Sequence, residues 1–117
     1  MIGIDIIEID RIKKAIDDHG QHFLDRIFTK KEQDDCAGNA VRLAGRFAAK
    51  EAIAKALGTG FGKDLSWLDI EISNDGRGKP IATFVRSGFQ KQTIDISVSH
   101  CKSHASAVAL LKMPSKD

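Results

Sequence analysis

The chain has 117 residues and a mass of 12.8 kDa, one domain's worth, whose folded surface of about 6,300 Å² against about 18,500 Å² unfolded lets it bury a core without staples. A hydrophobic fraction of 42% and a charged fraction of 29% exclude a disordered chain. A formal net charge of +2 excludes a general nucleic-acid binder, and two cysteines, Cys36 and Cys101, with no CxxC or metal-ligand spacing argue against disulfide-stapled and zinc-ribbon classes.

The opening MIGIDIIEID holds three carboxylates and no base before Arg11, the wrong sign for a signal peptide. Its Ile-rich part, Ile2 to Glu8, predicts a strand. Ile9, Ile12 and Ile16 stand at helical spacing, with Asp10 the expected N-cap and Gly20 the stop. Gln21 to Phe28 predicts a second helix, apolar on Phe23, Leu24, Ile27 and Phe28. Thr29-Lys30-Lys31-Glu32 reads as a capping box that opens a short helix fading at Gly38-Asn39. Ala40 to Leu57 predicts the longest helix, with seven alanines and Gly58 at its stop.

Beyond the glycine-rich loop from Gly58 to Lys63, Leu68 to Ser73 and Ile81 to Val85 alternate like strands around a turn signal at Asn74-Asp75-Gly76-Arg77-Gly78. Ser87 to Lys91 suits a helical turn, and Ile94 to Ser99 and Ala105 to Leu111 complete the strands. The apolar run at Ala107 to Leu111 is far too short to cross a membrane. There is no repeat, linker or low-complexity tract. Residues 1–117 are therefore expected to form a single α+β domain, a mainly antiparallel sheet packed on a long central helix. The expected setting is cytoplasmic and reducing, with neither nucleic acid nor membrane as a partner.

Two charges sit where apolar residues are expected. On the long helix Lys50 falls inside the stripe formed by Leu43, Phe47, Ala54 and Leu57, with Glu51 at its edge. It either snorkels to water or is paired inside. Arg42, Arg46 and Lys50 recur at i, i+4 and i+8, as a solvated basic face or as a cradle for a polyanion. Asp5 stands between Ile4 and Ile6 in a strand apolar on both faces. One carboxylate on a strand and one on a helix make the sparse oxygen set that Mg²⁺ uses, although ordinary ion pairs account for each as well. The loop after Leu57 fails both phosphate-loop patterns. Walker A needs Gly at 57 and Ser or Thr at 64, GxGxxG needs Gly at 63, and both precede a helix. His100 closes a strand in which Ile94, Ile96 and Val98 face one way and Asp95, Ser97 and Ser99 the other.

Three segments taken together resemble a known family. Gly3-Ile4-Asp5, the phrase Ala44-Gly45-Arg46-Phe47-Ala48-Ala49-Lys50-Glu51-Ala52, and Ser97-Val98-Ser99-His100 are similar to the signature segments of phosphopantetheinyl transferases, in particular their small bacterial branch, the holo-[acyl-carrier-protein] synthases. Gly58-Thr59-Gly60 and Gly78-Lys79-Pro80 also stand in family positions, so the resemblance runs from Met1 through the last strand. It implies Mg²⁺-dependent transfer of the 4′-phosphopantetheine arm of coenzyme A to a serine of an acyl carrier protein, in support of fatty acid biosynthesis. It also implies a homotrimer with active sites between subunits.

Carried over by position, Asp5 and Glu51 become the metal ligands, and Lys50 the cation at the reacting phosphate. Arg46, Lys55, Gly58 and His100 become the residues that hold coenzyme A, and Glu51 or a water on the metal becomes the base. Carrier docking falls to Arg11, Lys14 and Arg26. Here the chain departs from the arginine-rich family pattern, because Asp17, Asp18, His19, Gln21 and His22 dilute the patch and the segment from Glu32 to Val41 is short. A binding module without catalysis and a phosphate-ester hydrolase are the competing readings.

Overall fold

The computed structural model describes residues 1–86 and 88–112. Strand β1 (Ile2–Glu8) passes without a loop into α1 (Ile9–His19), followed by α2 (Gln21–Ile27), α3 (Lys30–Cys36) and α4 (Ala40–Leu57). After a 3-10 turn (Trp67–Asp69) come β2 (Ile70–Asn74), β3 (Pro80–Phe84), β4 (Thr93–His100) and β5 (His104–Lys112). The strands form an antiparallel three-stranded sheet in the order β1-β5-β4 and a separate β2-β3 hairpin. This is the expected α+β class with antiparallel pairing throughout, divided between two sheets.

The expected starts and stops of β1 and α4 agree with the structure. Asn39 caps α4, its side-chain oxygen accepting from the amides of Val41 and Arg42 at 3.0 and 3.1 Å. Gly58 ends it at φ 79°, a left-handed setting that suits glycine. The Thr29–Glu32 capping box on α3 is present in both directions. Asp10, however, does not cap α1. Because β1 runs straight into the helix, Glu8 occupies the cap position, the Ile9 amide is satisfied by the Ser103 carbonyl, and Asp10 lies inside the first turn. Of the expected turn at Ser87 to Lys91, Ser87 lies outside the described residues, and the remainder forms a turn.

The core explains the alanine content of α4. Ala44, Ala48, Ala49, Ala52 and Ala56 are buried on the helix, and Ala105, Ala107 and Ala109 are buried on the facing side of β5. Gly3 pairs with Ala109 across the sheet and is buried beneath α4. A Cβ on Gly3 would stand 1.9 Å from the Ala52 carbonyl oxygen, so helix and strand are in backbone contact there. Since side chains alternate along a strand, the next residue on this inward face is Asp5. Ile2, Ile4 and Ile6 point the other way and are 69%, 68% and 67% exposed.

Candidate active site

The close packing of β1 on α4 sets the first cluster. Asp5, fixed in register opposite Ala107, reaches the C-terminal half of α4, where the Lys55 ammonium donates to its Oδ1 at 3.0 Å and to the Ile4 carbonyl at 3.1 Å. Glu51 lies one turn before Lys55 on the same helix and is half-buried. Burial pushes its pKa above the ordinary glutamate range. The negative charge of Asp5 pushes it the same way, and Lys55 opposes both. The two carboxylates therefore share one electrostatic field, and an ammonium already sits in it.

The second cluster lies at the other end of α4. Arg42, Gly45 and Arg46 line a cavity of about 260 Å³ together with Val98 and His100 of β4 and the β2-β3 hairpin. Arg46 is 9% exposed, with its Nε donating to the Ile72 carbonyl at 3.3 Å. Neither Arg42 nor Arg46 forms an ion pair with a carboxylate among the described residues. Two guanidiniums without carboxylate partners beside an imidazole have the chemistry to bind a phosphate.

The structure thus joins Asp5, Glu51 and Lys55 in one place and Arg46 and His100 in another, and adds Arg42 to the second. It gives Lys50 a different position from the one expected. Its side chain is fully buried, and Nζ donates to Glu32 Oε1 at 2.7 Å, to the Ile27 carbonyl at 2.8 Å and to the Trp67 carbonyl at 3.1 Å. Burial pulls its pKa down and Glu32 pulls it up. Three acceptors need three N–H donors, which only the ammonium form has. With every donor committed, Lys50 has none to offer a phosphate. Gly58 likewise spends its amide on the carbonyls of Ala54 and Lys55, while those of Gly60 and Gly62 bond to Ala54 and Leu65. The three glycine amides of the loop after α4 are thus taken up by the helix end and the loop itself.

Arg11, Lys14 and Arg26 are all exposed. Lys14 pairs with Asp18 at 3.2 Å, so the acidic residues of α1 do dilute its basic face. Sequence reasoning missed the partner of Lys50, although Glu32 was visible as the last residue of a capping box. It also missed the 3-10 turn, whose own signal is Ser66 three residues before Asp69, with the Ser66 amide donating to Asp69 Oδ2 at 2.9 Å.

Comparison with known proteins gives one consistent result. The family model of the 4′-phosphopantetheinyl transferase superfamily matches residues 1–110. The holo-[acyl-carrier-protein] synthase of Protochlamydia amoebophila is 52% identical over 115 residues, 93% of this chain and 94% of that protein. That of Chlamydia muridarum is 45% identical over 117 residues, 96% and 94% of the two chains. Among solved structures, Helicobacter pylori holo-[acyl-carrier-protein] synthase in complex with coenzyme A superposes with a TM-score of 0.91 at 38% identity, over 96% of this chain and all of that one. The Bacillus anthracis enzyme, in complex with CoA (3′,5′-ADP), gives 0.82 at 45% identity over 94% and 93%.

Proposed function

The chain belongs to the 4′-phosphopantetheinyl transferase superfamily, and from that premise we propose that it moves the 4′-phosphopantetheine arm of coenzyme A onto a serine of an apo acyl carrier protein. The serine oxygen bonds to the phosphorus that carries the arm, the bridging P–O bond breaks, and adenosine 3′,5′-bisphosphate leaves with the bridging oxygen. The observation that carries this reading is the division of labour along α4. A cationic cavity at Arg46 and an acidic pair at Glu51 lie five residues apart, about 7.5 Å along the helix axis. That suits a ligand with a phosphate monoester at one end and a reacting diphosphate at the other.

The acidic pair fits a hard divalent cation. Asp5 already holds an ammonium, and Glu51, whose pKa is raised first by burial and then by the negative charge of Asp5, stands beside it with only Lys55 opposing. No group of three or more His, Cys, Asp or Glu forms a complete protein site among the described residues. Such a set suits Mg²⁺, which keeps its waters and takes substrate phosphate oxygens. When bound, the ion supplies positive charge to the diphosphate. Asp5 and Glu51 hold it, Lys55 turns to the diphosphate, and Arg46 and His100 fix the 3′-phosphate with Arg42 beside them. Glu51, the carboxylate with the raised pKa, takes the serine proton. Gly58 contributes the turn that ends α4.

Arg11, Lys14 and Arg26 steer the acidic carrier, so association weakens with salt. The exposed stripe of Ile2, Ile4 and Ile6, with Leu110 43% exposed beside Ile2, supports a homotrimer that buries this face. No helix among the described residues is long and apolar enough to cross a membrane. The reading places the enzyme in the cytoplasm, serving fatty acid biosynthesis.

Intact-protein mass spectrometry tests the reaction. An apo carrier incubated with the enzyme, coenzyme A and Mg²⁺ is expected to gain one phosphopantetheine, and to gain none in EDTA. Binding of coenzyme A with no mass gain in any carrier would establish the non-catalytic module instead. Release of phosphopantetheine without a protein acceptor would establish the hydrolase.

The pH profile tests Glu51. Its protonated form neither holds a cation nor accepts a proton, so kcat/KM falls as pH drops through its pKa. At low Mg²⁺ that acid limb is expected above the ordinary glutamate range. Raising Mg²⁺ favours the ionised carboxylate, and the limb should move to lower pH. A limb that stays fixed across Mg²⁺ concentrations would remove Glu51 from the metal site.

A further inference from the structure

Glu32 is a fully buried carboxylate that belongs to neither the cavity nor the acidic pair. Its Oε1 accepts from Lys50 Nζ and from the Thr29 amide, each at 2.7 Å, and its Oε2 accepts from the Ile72 amide at 2.8 Å. The Ile72 carbonyl in turn accepts from Arg46 Nε at 3.3 Å, and Lys50 is the peptide neighbour of Glu51. A chain of bonds thus leaves α4 at Lys50, passes through Glu32 of α3 and Ile72 of β2, and returns to α4 one turn earlier at Arg46.

The composition of α4 makes such a connection consequential. The helix meets the sheet mostly through alanines, and apolar contact is non-directional. Methyl groups laid on a floor of alanine and glycine key the rotation of a helix weakly. Hydrogen bonds of fixed length key it firmly. A rotation of about 10° displaces a side-chain tip by about 1 Å at the helix periphery, and a misplacement of that size can cost about a hundredfold in rate.

We infer that Glu32 is a positioning residue for the transfer reaction. Acting through Lys50 and Ile72, it sets the rotation of α4, and so aims Glu51 at Asp5 and Arg46 into the cavity. The inference rests on the transferase reading and assigns the buried ion pair a purpose beyond stability.

Two variants test it. Glu32→Gln with Lys50→Met removes both charges together and leaves no unpaired buried charge, although the Ile27 and Trp67 carbonyls lose the Lys50 donor and the melting temperature is expected to fall. Glu32→Asp keeps the charge and withdraws the carboxylate by one methylene. Mn²⁺ binding, followed by loss of the free-ion spin resonance signal, and coenzyme A binding by calorimetry are measured without turnover beside the melting temperature. Both variants are expected to fold, with affinity for Mn²⁺ and for coenzyme A each reduced about tenfold, and kcat/KM reduced further. A role confined to stability predicts that the folded double variant regains wild-type affinities. Wild-type binding and kcat/KM in either folded variant would overturn the positioning role, and if the double variant does not fold, Glu32→Asp decides. The wild type separates the two claims. If it transfers nothing and binds neither probe, the transferase reading falls and this inference with it. If it turns over and a folded variant matches it, only the role of Glu32 falls.

Discussion

Asp5→Asn and Glu51→Gln are each expected to cut phosphopantetheine transfer by about 10²- to 10³-fold, the loss that follows removal of one preorganised charge-stabilising group. The melting temperature is expected to hold or rise. Glu51 is half-buried beside Asp5, and burial together with that like charge disfavours its ionised form, so an amide there removes a repulsion. Asp5→Asn loses the Lys55 ion pair. The Asp5 side chain is only 14% exposed, but that of Lys55 is 54% exposed and can turn to water. The loss is therefore set near the upper end of the roughly 0–1 kcal/mol of an exposed pair, and the amide oxygen of Asn can still accept from Lys55. Activity and stability should therefore part company at both positions, which is the mark of groups kept for chemistry. The comparison needs transfer rates at saturating coenzyme A and Mg²⁺ together with thermal melts of the same samples. Either variant within about threefold of wild type, a loss of well under one factor of ten in rate, would show that the carboxylate pair is not the metal site.

Gly3→Ala is expected to be the most damaging small change in the molecule. The new Cβ would lie 1.9 Å from the Ala52 carbonyl oxygen, 2.7 Å from the Ala56 nitrogen and 3.0 Å from the Ala52 carbonyl carbon. All three are helix backbone, and none can rotate away as a side-chain tip could. Strand and helix have to separate, which places the cost at or above about 3 kcal/mol, the upper end for overpacking. That is a large share of the 5–15 kcal/mol or so that holds a domain together. Urea denaturation monitored by circular dichroism should show a midpoint far below wild type. Any variant that still folds should also bind Mn²⁺ poorly, because Asp5 lies two residues along the same strand. A cooperative transition close to that of wild type would mean that the contact between β1 and α4 is looser than the structure has it.

The elements most legible in the sequence are those governed by local rules. Helix α4 has alanine propensity, and Gly58 marks its end. Strand β1 is a short isoleucine run, and α3 carries a capping box. All three lie where those signals point. Strand β2 starts two residues late because a 3-10 turn takes up Trp67–Asp69, and β3 starts one residue early at Pro80. Asp10 misled because strand and helix are continuous, which leaves the first turn to be satisfied by Ser103, more than 90 residues away in the chain. At the site, the charge of Lys50 inside an apolar stripe was visible as an anomaly. Its resolution was not, because Glu32 answers a local signal and a distant one with the same oxygen. The cavity was invisible for a similar reason. It exists only where the β2-β3 hairpin and the end of β4 come to rest beside Arg42 and Arg46.

Trp67 is the only tryptophan in a chain that has no tyrosine. Its ring stacks on Phe47 of α4 at 4.9 Å and on Phe61 at 3.8 Å, and its carbonyl accepts from Lys50. Excited to the red of phenylalanine absorption, the protein therefore emits from a single corner of the molecule, where the long helix, the loop that follows it and the buried ammonium meet. No label is needed to watch that corner. A stopped-flow trace recorded as a ligand arrives would report its motion alone, undiluted by any other fluorophore.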